Sequence, residues 1–231
     1  MTIAVLDDVH ANLAALEAVL GEPDVAAADT VVFGGDLVPG PQPAETMELV
    51  RSLGRRARMI RGNGEREVCA ADLGGARDAV PEETCEAWVR RRLDIRDLAK
   101  LRDLPLVIQL EGAILCHATP TSDSASVTMV MPDADLVAAM APVSSGLLVV
   151  GHTHRQFDRR VGDLRVVNPG SVGIPYDGSP EARWALIDGP QVYLRATPYD
   201  VDLAISACEE VGFPDSKHLE SLRAAAAFGG D

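Results

Sequence analysis

The sequence predicts an α/β fold in which strands and helices alternate in the first half and closely spaced strands follow in the second half. A chain of 231 residues has the length of one large domain, or of a domain with a small appendage. With 47% apolar and 24% charged residues, it has the composition of a globular protein. Because only 4% of the residues are aromatic, the core must consist of Leu, Val, Ile and Ala, which suits layers of helices and sheets.

The first half contains two strand–helix units. Thr2–Leu6 is a short apolar run, and Asn12 precedes an Ala- and Leu-rich stretch with helical spacing that ends at Leu20. Thr30–Phe33 is a second buried strand, and Ala44–Leu53 returns to helix. This βαβα order indicates a parallel sheet covered by helices.

The middle of the chain differs from the rest in charge. Residues 51–102 carry thirteen basic and nine acidic residues, whereas residues 1–50 carry nine acidic residues and no Lys or Arg. The segment 65–104 is helical in character, with Trp88 and Leu93 on an apolar side that favours core packing. We therefore predict a single domain over 1–231 with a helical, lid-like insertion at about 65–104, whose basic side chains meet an anionic substrate.

The second half contains short β-rich runs separated by Gly, Pro and Asp turns. These runs are Leu106–Leu110, Ala113–His117, Gly146–Val150, Leu164–Val167, Ala185–Ile187 and Val192–Leu194. Strands spaced this closely usually form hairpins, so we expect antiparallel pairing here. Ser206–Phe228 has a weak helical pattern, and His218 within it is expected to be a solvated surface residue.

Charge and cysteine content exclude several classes of function. The net charge of −14 repels nucleic acid polymers and anionic lipids, and no apolar run approaches the ~20 residues of a membrane-spanning helix. The four cysteines are far apart and form no CxxC pair, which favours reduced thiols. We therefore expect a cytoplasmic protein that acts on a small molecule; homo-oligomer formation stays open.

Polar residues with metal-ligand chemistry stand directly after the predicted strands, where open α/β sheets place ligands. They are Asp8, His10, Asp36, Asn63, His117, His152 and His154. Asp8 and His10 are two residues apart, as are His152 and His154, and in extended backbone this spacing puts both side chains on one side, about 6 to 7 Å apart. That separation suits two ions better than one.

The donor set predicts the metal and the reaction. Oxygen and nitrogen ligands without a thiolate suit divalent Mn, Fe, Co, Ni or Zn. Two such ions joined by a bridging Asp hold a hydroxide at neutral pH and clamp the oxygens of a transferring group. Hydrolysis of phosphate esters is the natural reaction for such a site.

The sequence resembles the calcineurin-like metallophosphoesterases of the compact bacterial and archaeal type. The matching blocks cover nearly the whole chain and read Asp8-Val9-His10-Ala11-Asn12, Gly35-Asp36, Gly62-Asn63-Gly64-Glu65, His117, Gly151-His152-Thr153-His154 and Asn168-Pro169-Gly170-Ser171-Val172-Gly173. The resemblance implies a four-layer αββα sandwich of two mixed sheets flanked by helices.

The resemblance also implies roles for the seven residues. Asp8, His10, Asp36 and His154 would hold the first metal, and Asp36, Asn63, His117 and His152 the second, with Asp36 as the bridge. Asp36, Asn63 and His117 would also be catalytic. We expect two divalent ions per chain, with manganese favoured over Fe, Ni, Co and Zn.

Three positions depart from the family pattern. Asp7 replaces the common Ser before the first ligand, and it would support the ligands from behind. Ala11 replaces the usual Gly, which asks only for a backbone outside the left-handed region. Gly64 replaces the His that many members use to stabilise or protonate the leaving group, so that role is vacant at this position.

Two arginines next to the ligands have two interpretations each. Arg66 and Arg155 could bind a substrate phosphate in a bidentate manner, or each could form a salt bridge with a neighbouring acid. The segment Asn168–Ser171 is expected to form a tight turn that supports the metal loops.

The leading hypothesis is therefore a two-metal phosphoesterase in which a metal-bridging hydroxide attacks a phosphodiester or a nucleotide-like substrate. One alternative is a phosphomonoesterase that acts on a phosphoprotein or a small metabolite. Another is a non-enzymatic metal-binding scaffold, as in the retromer subunit with a degraded site. All seven ligand positions are filled in this sequence, which favours the enzyme.

Overall fold

The computed structural model describes residues 1–71 and 84–228. The strands are β1 (Thr2–Leu6), β2 (Thr30–Phe33), β3 (Ala57–Met59), β4 (Val107–Leu110), β5 (Ala113–Cys116), β6 (Gly146–Val149), β7 (Phe157–Val161), β8 (Leu164–Asn168), β9 (Glu181–Asp188) and β10 (Gln191–Pro198). The helices are α1 (Leu13–Leu20), α2 (Pro23–Ala27), α3 (Pro43–Ser52), α4 (Asn63–Ala70), α5 (Cys85–Arg92), α6 (Ile95–Arg102), α7 (Asp133–Ala139), α8 (Val201–Val211) and α9 (Ser216–Phe228).

The strands form two mixed five-stranded sheets. The first sheet has the order β10-β9-β1-β2-β3, in which β1, β2 and β3 are parallel and β9 and β10 antiparallel. The second has the order β4-β5-β6-β8-β7, in which β5, β6 and β8 are parallel. The parallel strands of each sheet end on the same edge, and the predicted ligands lie at these two edges.

Alternation along β1 shows how one apolar run serves two layers. Ile3 and Val5 point into the cluster between the sheets, with Val32, Leu115 and Val149. Residues on the opposite face of β1, Ala4 and Leu6, join a larger cluster under the helices of the first sheet. Because both faces are covered, the strand is apolar at every position after Thr2 instead of alternating.

Helices cover the outer faces of both sheets, which confirms the predicted four-layer sandwich. Leu16 of α1, Met47 of α3 and Leu101 of α6 are fully buried against the first sheet. Leu136 of α7 packs against the second sheet with Leu148. Asn12 caps α1 as predicted, since its side-chain oxygen accepts a hydrogen bond from the Ala15 N–H at 3.1 Å.

The described part of the basic middle packs against the first sheet's helices. Trp88 of α5 is 4% exposed, and the guanidinium of Arg92 stacks 3.3 Å from the centre of its ring. Arg51 of α3 donates to both carboxylate oxygens of Asp97 at 2.6 Å. Residues 72–83 of the predicted 65–104 insertion lie outside the described residues. Arg92 is therefore engaged in packing on Trp88, and Arg51 in an ion pair with Asp97.

Two expectations for the second half need correction. The expected antiparallel hairpins form between β4 and β5, β7 and β8, and β9 and β10. The strands β5, β6 and β8 are parallel instead, because the chain returns through α7 before β6 and through β7 before β8. The predicted terminal helix over 206–228 is two helices, α8 and α9. They are separated by Gly212 in the left-handed conformation, with a φ of 62°, a common way to end a helix.

Within the described ranges, no helix is both long enough and apolar enough to span a bilayer. All four cysteines are free, which agrees with the expectation of reduced thiols.

Candidate metal centre

The predicted ligands converge at the ends of the parallel strands of both sheets. Asp8 and His10 lie in the loop after β1, and Asp36 follows β2. Asn63 begins α4 after β3, His117 follows β5, and His152 and His154 follow β6. The sheets pack face to face, so these loops meet across one end of the sandwich.

The ligand loops have left-handed backbone instead of the extended backbone that the sequence suggested. The φ angles are 53° at Asp8, 49° at His10, 49° at Asp36, 66° at His152 and 58° at His154. Side chains two residues apart are therefore not held on one side by strand geometry. Non-glycine residues adopt this region at a cost, and its clustering here is typical of a functional site.

Ala11 also contradicts its expectation. Its φ is 46°, so this position does use the left-handed region that the common Gly adopts without strain. The Ala11 N–H donates to the Leu37 carbonyl at 2.9 Å, which ties the strained turn to the loop after β2.

Six of the seven predicted ligands form two groups. Asp8, His10 and His154 make up the first group; Asp36, His117 and His152 make up the second. Within each group the ligand atoms all lie within 4.8 Å of one another. Asp36 lies between the groups, because its Oδ2 is 3.6 Å from His117 Nε2 and 3.9 Å from His10 Nε2.

The hydrogen bonds of the imidazoles fit a bound cation. His10, His117 and His154 each have Nδ1 close to a main-chain carbonyl oxygen, at 3.0, 3.1 and 2.7 Å. A carbonyl only accepts hydrogen bonds, so Nδ1 carries a proton and Nε2 is the atom that binds a metal when the imidazole is neutral. His10 Nε2 and His154 Nε2 are 3.2 Å apart, an arrangement that a shared cation stabilises.

Asn63 lies beside the second group. With its amide nitrogen facing acceptors, it is 3.0 Å from Nδ1 of His152. The structure therefore brings all seven residues together in one place.

Burial and charge shift the titration of the carboxylates in the groups. Burial raises the pKa of Asp8 to about 6. Burial also acts to raise the pKa of Asp36, but the charge and hydrogen bond of His117 outweigh it and hold that pKa below its usual value. Since ionised carboxylates are the form that binds metal, His117 and a bound cation compete for Asp36.

Buried hydrogen bonds fix the ligand loops. Asn168 donates from Nδ2 to the Gly151 carbonyl at 2.8 Å, and Ser171 Oγ donates to the Asp8 carbonyl at 2.7 Å. The predicted supporting role of Asn168–Ser171 agrees with these contacts. Asp7 is 1% exposed and packs so tightly on Gly34 that a Cβ there would lie 1.3 Å from its Oδ1.

The two arginines sit in different environments. Arg66 donates to Asp123 from Nε at 2.9 Å and from Nη2 at 3.1 Å, and it also contacts Glu67. The sequence allowed Arg66 either a phosphate contact or a salt bridge, and in this structure it forms the salt bridge. Arg155 is exposed.

A cavity of about 480 Å³ opens onto the groups, lined by His10, Asp36 and Asn63 on the metal side. Tyr176 stacks on His154 with ring centres 4.3 Å apart. Lys217 and His218 line the opposite wall. The sequence offered no signal for these three residues, because none of them stands after a strand or in a motif.

His218 is not a solvated surface residue. It is 3% exposed, because the α8–α9 pair folds back onto the end of the sandwich that carries the metal groups. A tail with weak helical periodicity gives no indication of this return.

Gly64 is required by close packing. A Cβ at this position would lie 2.2 Å from Pro39 Cγ and 2.8 Å from Asp36 Oδ1. Its N–H donates to Asp36 Oδ1 at 2.7 Å inside the first turn of α4. Asp36 can therefore be held in this position because residue 64 has no side chain.

Comparisons with known proteins agree with this geometry. The model of the calcineurin-like phosphoesterase superfamily domain matches residues 1–189. A metallophosphoesterase from Sphaerobacter thermophilus has a similar structure, with a TM-score of 0.84, 25% identity and coverage of 97% of this chain and 99% of that one.

Two relatives are similar in sequence. The protein MJ0912 of Methanocaldococcus jannaschii is 27% identical over 224 residues, which span 87% of this chain and 88% of that protein. The symmetrical bis(5'-nucleosyl)-tetraphosphatase of Vibrio vulnificus is 32% identical over 92 residues, 39% of this chain and only 34% of that enzyme. The superfamily match covers most of the chain, and it includes every residue of the two metal groups. The chain therefore belongs to the calcineurin-like phosphoesterase superfamily and is a hydrolase that acts on phosphoric ester bonds.

Proposed function

We propose that this protein hydrolyses phosphate esters at a centre of two divalent metal ions. The observation that carries the proposal is the pair of three-residue ligand groups with Asp36 between them. In this proposal Asp8, His10 and His154 hold one ion, His117, His152 and Asn63 hold the other, and Asp36 holds both.

The metal ions would supply Lewis-acid chemistry, activating water and offsetting the negative charge that develops on the phosphoryl oxygens. The chain's part is to orient the ligands. Main-chain carbonyls hold three imidazoles in the tautomer that binds metal, and Glu65 and Gly64 hold Asp36 in place. We propose manganese as the ion, with Fe, Ni, Co and Zn as alternatives, because a set of oxygen and nitrogen donors without a thiolate accepts all five.

For the substrate, we propose a phosphodiester or a nucleotide-like ester. The cavity of about 480 Å³ is in the range of pockets that take small molecules of nucleotide size. The similarity to the Vibrio vulnificus tetraphosphatase, which covers 39% of this chain, supports a nucleotide-like substrate. Arg66 and Arg155 are proposed substrate contacts, with Arg66 leaving Asp123 when substrate binds.

We also propose that the protein works in the cytoplasm, where its free thiols stay reduced.

The test is hydrolysis of a panel of phosphate mono- and diesters by protein reconstituted with Mn, Ni, Co, Mg or Zn. Each ester type should include leaving groups of different pKa. We expect diester hydrolysis that depends on added metal, and aryl esters that far outrun alkyl esters because Gly64 supplies no proton donor. Asp36→Asn should abolish turnover, while Glu220→Gln, an exposed change on α9, should not.

The outcomes separate the alternatives. Faster turnover of monoesters than of diesters would identify a phosphomonoesterase. Metal binding without turnover of any ester, under every metal, would identify a scaffold and contradict the proposal.

A further inference from the structure

The wall of the cavity opposite the metal groups comes from the C-terminal part of the chain. It is formed by the turn between α8 and α9 and by the first turns of α9, over residues 213–218 and Ser221. Leu222 of α9 is 1% exposed and packs with α8 and with Ala14 of α1. This packing fixes the position of α9 relative to the loop that carries Asp8 and His10.

His218 is the chemically unusual residue of this wall. The chain has five histidines, all within the described residues, and four of them belong to the two metal groups. The fifth, His218, is 3% exposed, and its Nε2 has no hydrogen-bond partner among the described residues. Its ring centre lies 6.4 Å from that of His10. Buried polar atoms without partners are rare in native structures, and one in a residue that lines a cavity calls for a partner that the described residues do not supply.

The other polar groups of this wall are distributed in a way that leaves His218 available. Asp215 caps α9, accepting from the N–H groups of Lys217 and His218 at 3.0 and 3.3 Å. Ser221 Oγ donates to the Lys217 carbonyl at 2.9 Å. Lys217 is an exposed residue that lines the cavity together with Glu67 and Glu86, and its ammonium adds a positive charge to this lining.

We propose that His218 and Lys217 form a binding subsite for the phosphoryl group of the substrate. His218 donates from Nε2–H to a non-bridging phosphoryl oxygen, and Lys217 attracts the negative charge of the ester as it enters. The inference rests on the proposed function, since it places the phosphoryl group between α9 and the metal groups. It assigns substrate recognition to a segment beyond residue 189, where the superfamily match ends.

The experiment measures binding of inorganic phosphate, the common product, to manganese-reconstituted protein by calorimetry, together with steady-state kinetics on an aryl phosphodiester. His218→Phe removes the donor and keeps a planar ring, whereas His218→Gln keeps a donor in the same place. Lys217→Gln removes the charge at the mouth. Glu220→Gln on the outer side of α9 is the matched control, and elemental analysis reports the manganese content of each variant.

We expect His218→Phe to raise the dissociation constant of phosphate and the KM of the ester by roughly 10-fold or more, the usual effect of losing a hydrogen bond to a charged group. His218→Gln should recover most of this loss, and Glu220→Gln should change nothing. Lys217→Gln should have a smaller effect that vanishes at high salt. Manganese content should stay at the wild-type value throughout.

Unchanged phosphate binding and KM in His218→Phe at full manganese content would overturn the subsite. Loss of manganese from His218→Phe would also overturn it, because His218 would then act on the metal groups. Phosphate binding that depends on His218, without hydrolysis of any ester, would support the subsite and contradict the proposed function. Normal hydrolysis together with phosphate binding that is independent of His218 would support the proposed function and contradict the subsite.

Discussion

Glu65 Oε2 accepts a hydrogen bond from the main-chain N–H of Asp36 at 2.8 Å, and its Oε1 accepts from the N–H of Leu37 at 2.7 Å. The same carboxylate also accepts from Val38 and Gly62. One fully buried side chain therefore holds the left-handed turn that presents Asp36 to both metal groups.

The first prediction concerns this carboxylate. In Glu65→Gln the amide nitrogen must face main-chain N–H groups, so the turn at Asp36 should shift. Manganese affinity should fall roughly 10- to 100-fold, as for other residues that orient metal ligands. Titration calorimetry measures this, with the exposed Glu48→Gln as control. Equal affinities in the two variants would show that Glu65 does not position Asp36.

The second prediction separates the two groups. His154→Ala should lose the ion of the first group and His152→Ala that of the second, whereas Asp36→Ala should weaken both because it lies between them. Elemental analysis after reconstitution gives the stoichiometry of each variant. Arg155→Gln, an exposed neighbour of His154, should keep about two ions. Equal loss of both ions from every histidine variant would indicate one coupled site instead.

The third prediction concerns Gly64. A Cβ here overlaps Pro39 and Asp36, so Gly64→His should lower manganese affinity and activity instead of supplying a proton donor. Gly64→Ala should already destabilise the fold by roughly 1 to 3 kcal/mol through overpacking. Thermal unfolding checks this against Gly21→Ala, where a Cβ would approach only carbonyl oxygens, no closer than 3.3 Å. Faster turnover of alkyl esters by Gly64→His would contradict this account.

The fourth prediction concerns the ion pair of Arg66 and Asp123. Its double-mutant coupling energy should be about 0.5 to 1 kcal/mol, because the Arg66 side chain is 43% exposed and solvent screens the pair. Urea unfolding of Arg66→Ala, Asp123→Asn and the double variant measures the coupling. If Arg66 also binds substrate, KM should rise in Arg66→Ala and stay near wild type in Asp123→Asn. Equal KM values in all variants would show that Arg66 forms the ion pair and does not contact the substrate.

The fifth prediction concerns the pH dependence of Cys85 at the cavity wall. Burial, together with the nearby carboxylates of Asp215 and Glu86, raises the pKa of its thiol to about 11. At pH 8 only about 0.1% of this thiol is therefore the reactive thiolate, against roughly a quarter of a free cysteine. Alkylation by iodoacetamide should be slow at pH 8 and should accelerate about tenfold per pH unit up to pH 10.

Mass spectrometry follows modification at Cys85, with Cys85→Ser and urea-unfolded protein as controls. Rapid modification of folded protein at pH 8 would show that the thiol is not shielded in this way.

The convergence of the seven proposed ligands could be predicted from the sequence because it depends on a simple rule. A polar residue at the end of a buried parallel strand lies at the ligand-binding edge of the sheet, whatever the loop geometry. The prediction for Asp36 and His117 needed only the strands before them. The left-handed backbone at His10 and Ala11 could not be predicted, because tertiary hydrogen bonds impose it against the residues' own preference.

The pairing of the second sheet and the position of the C-terminal helices were harder to predict from the sequence, for a different reason. Parallel pairing of β5 and β6 depends on a long crossover through α7, a helix of only seven residues with little periodicity. The burial of His218 depends in part on its approach to His10, which lies near the other end of the sequence. Local patterns carry no information about such contacts.

The cavity lining combines residues from distant parts of the chain, and this origin affects how its specificity can change. The residues that would carry out hydrolysis come from loops between positions 8 and 154, and those opposite come from positions 213–221. None of the seven proposed ligands lies in the α8–α9 turn or in α9, although the ring of His218 approaches that of His10. If the residues at 213–221 bind substrate as proposed, substitutions among them would change the substrate preference while the seven proposed ligands stay the same.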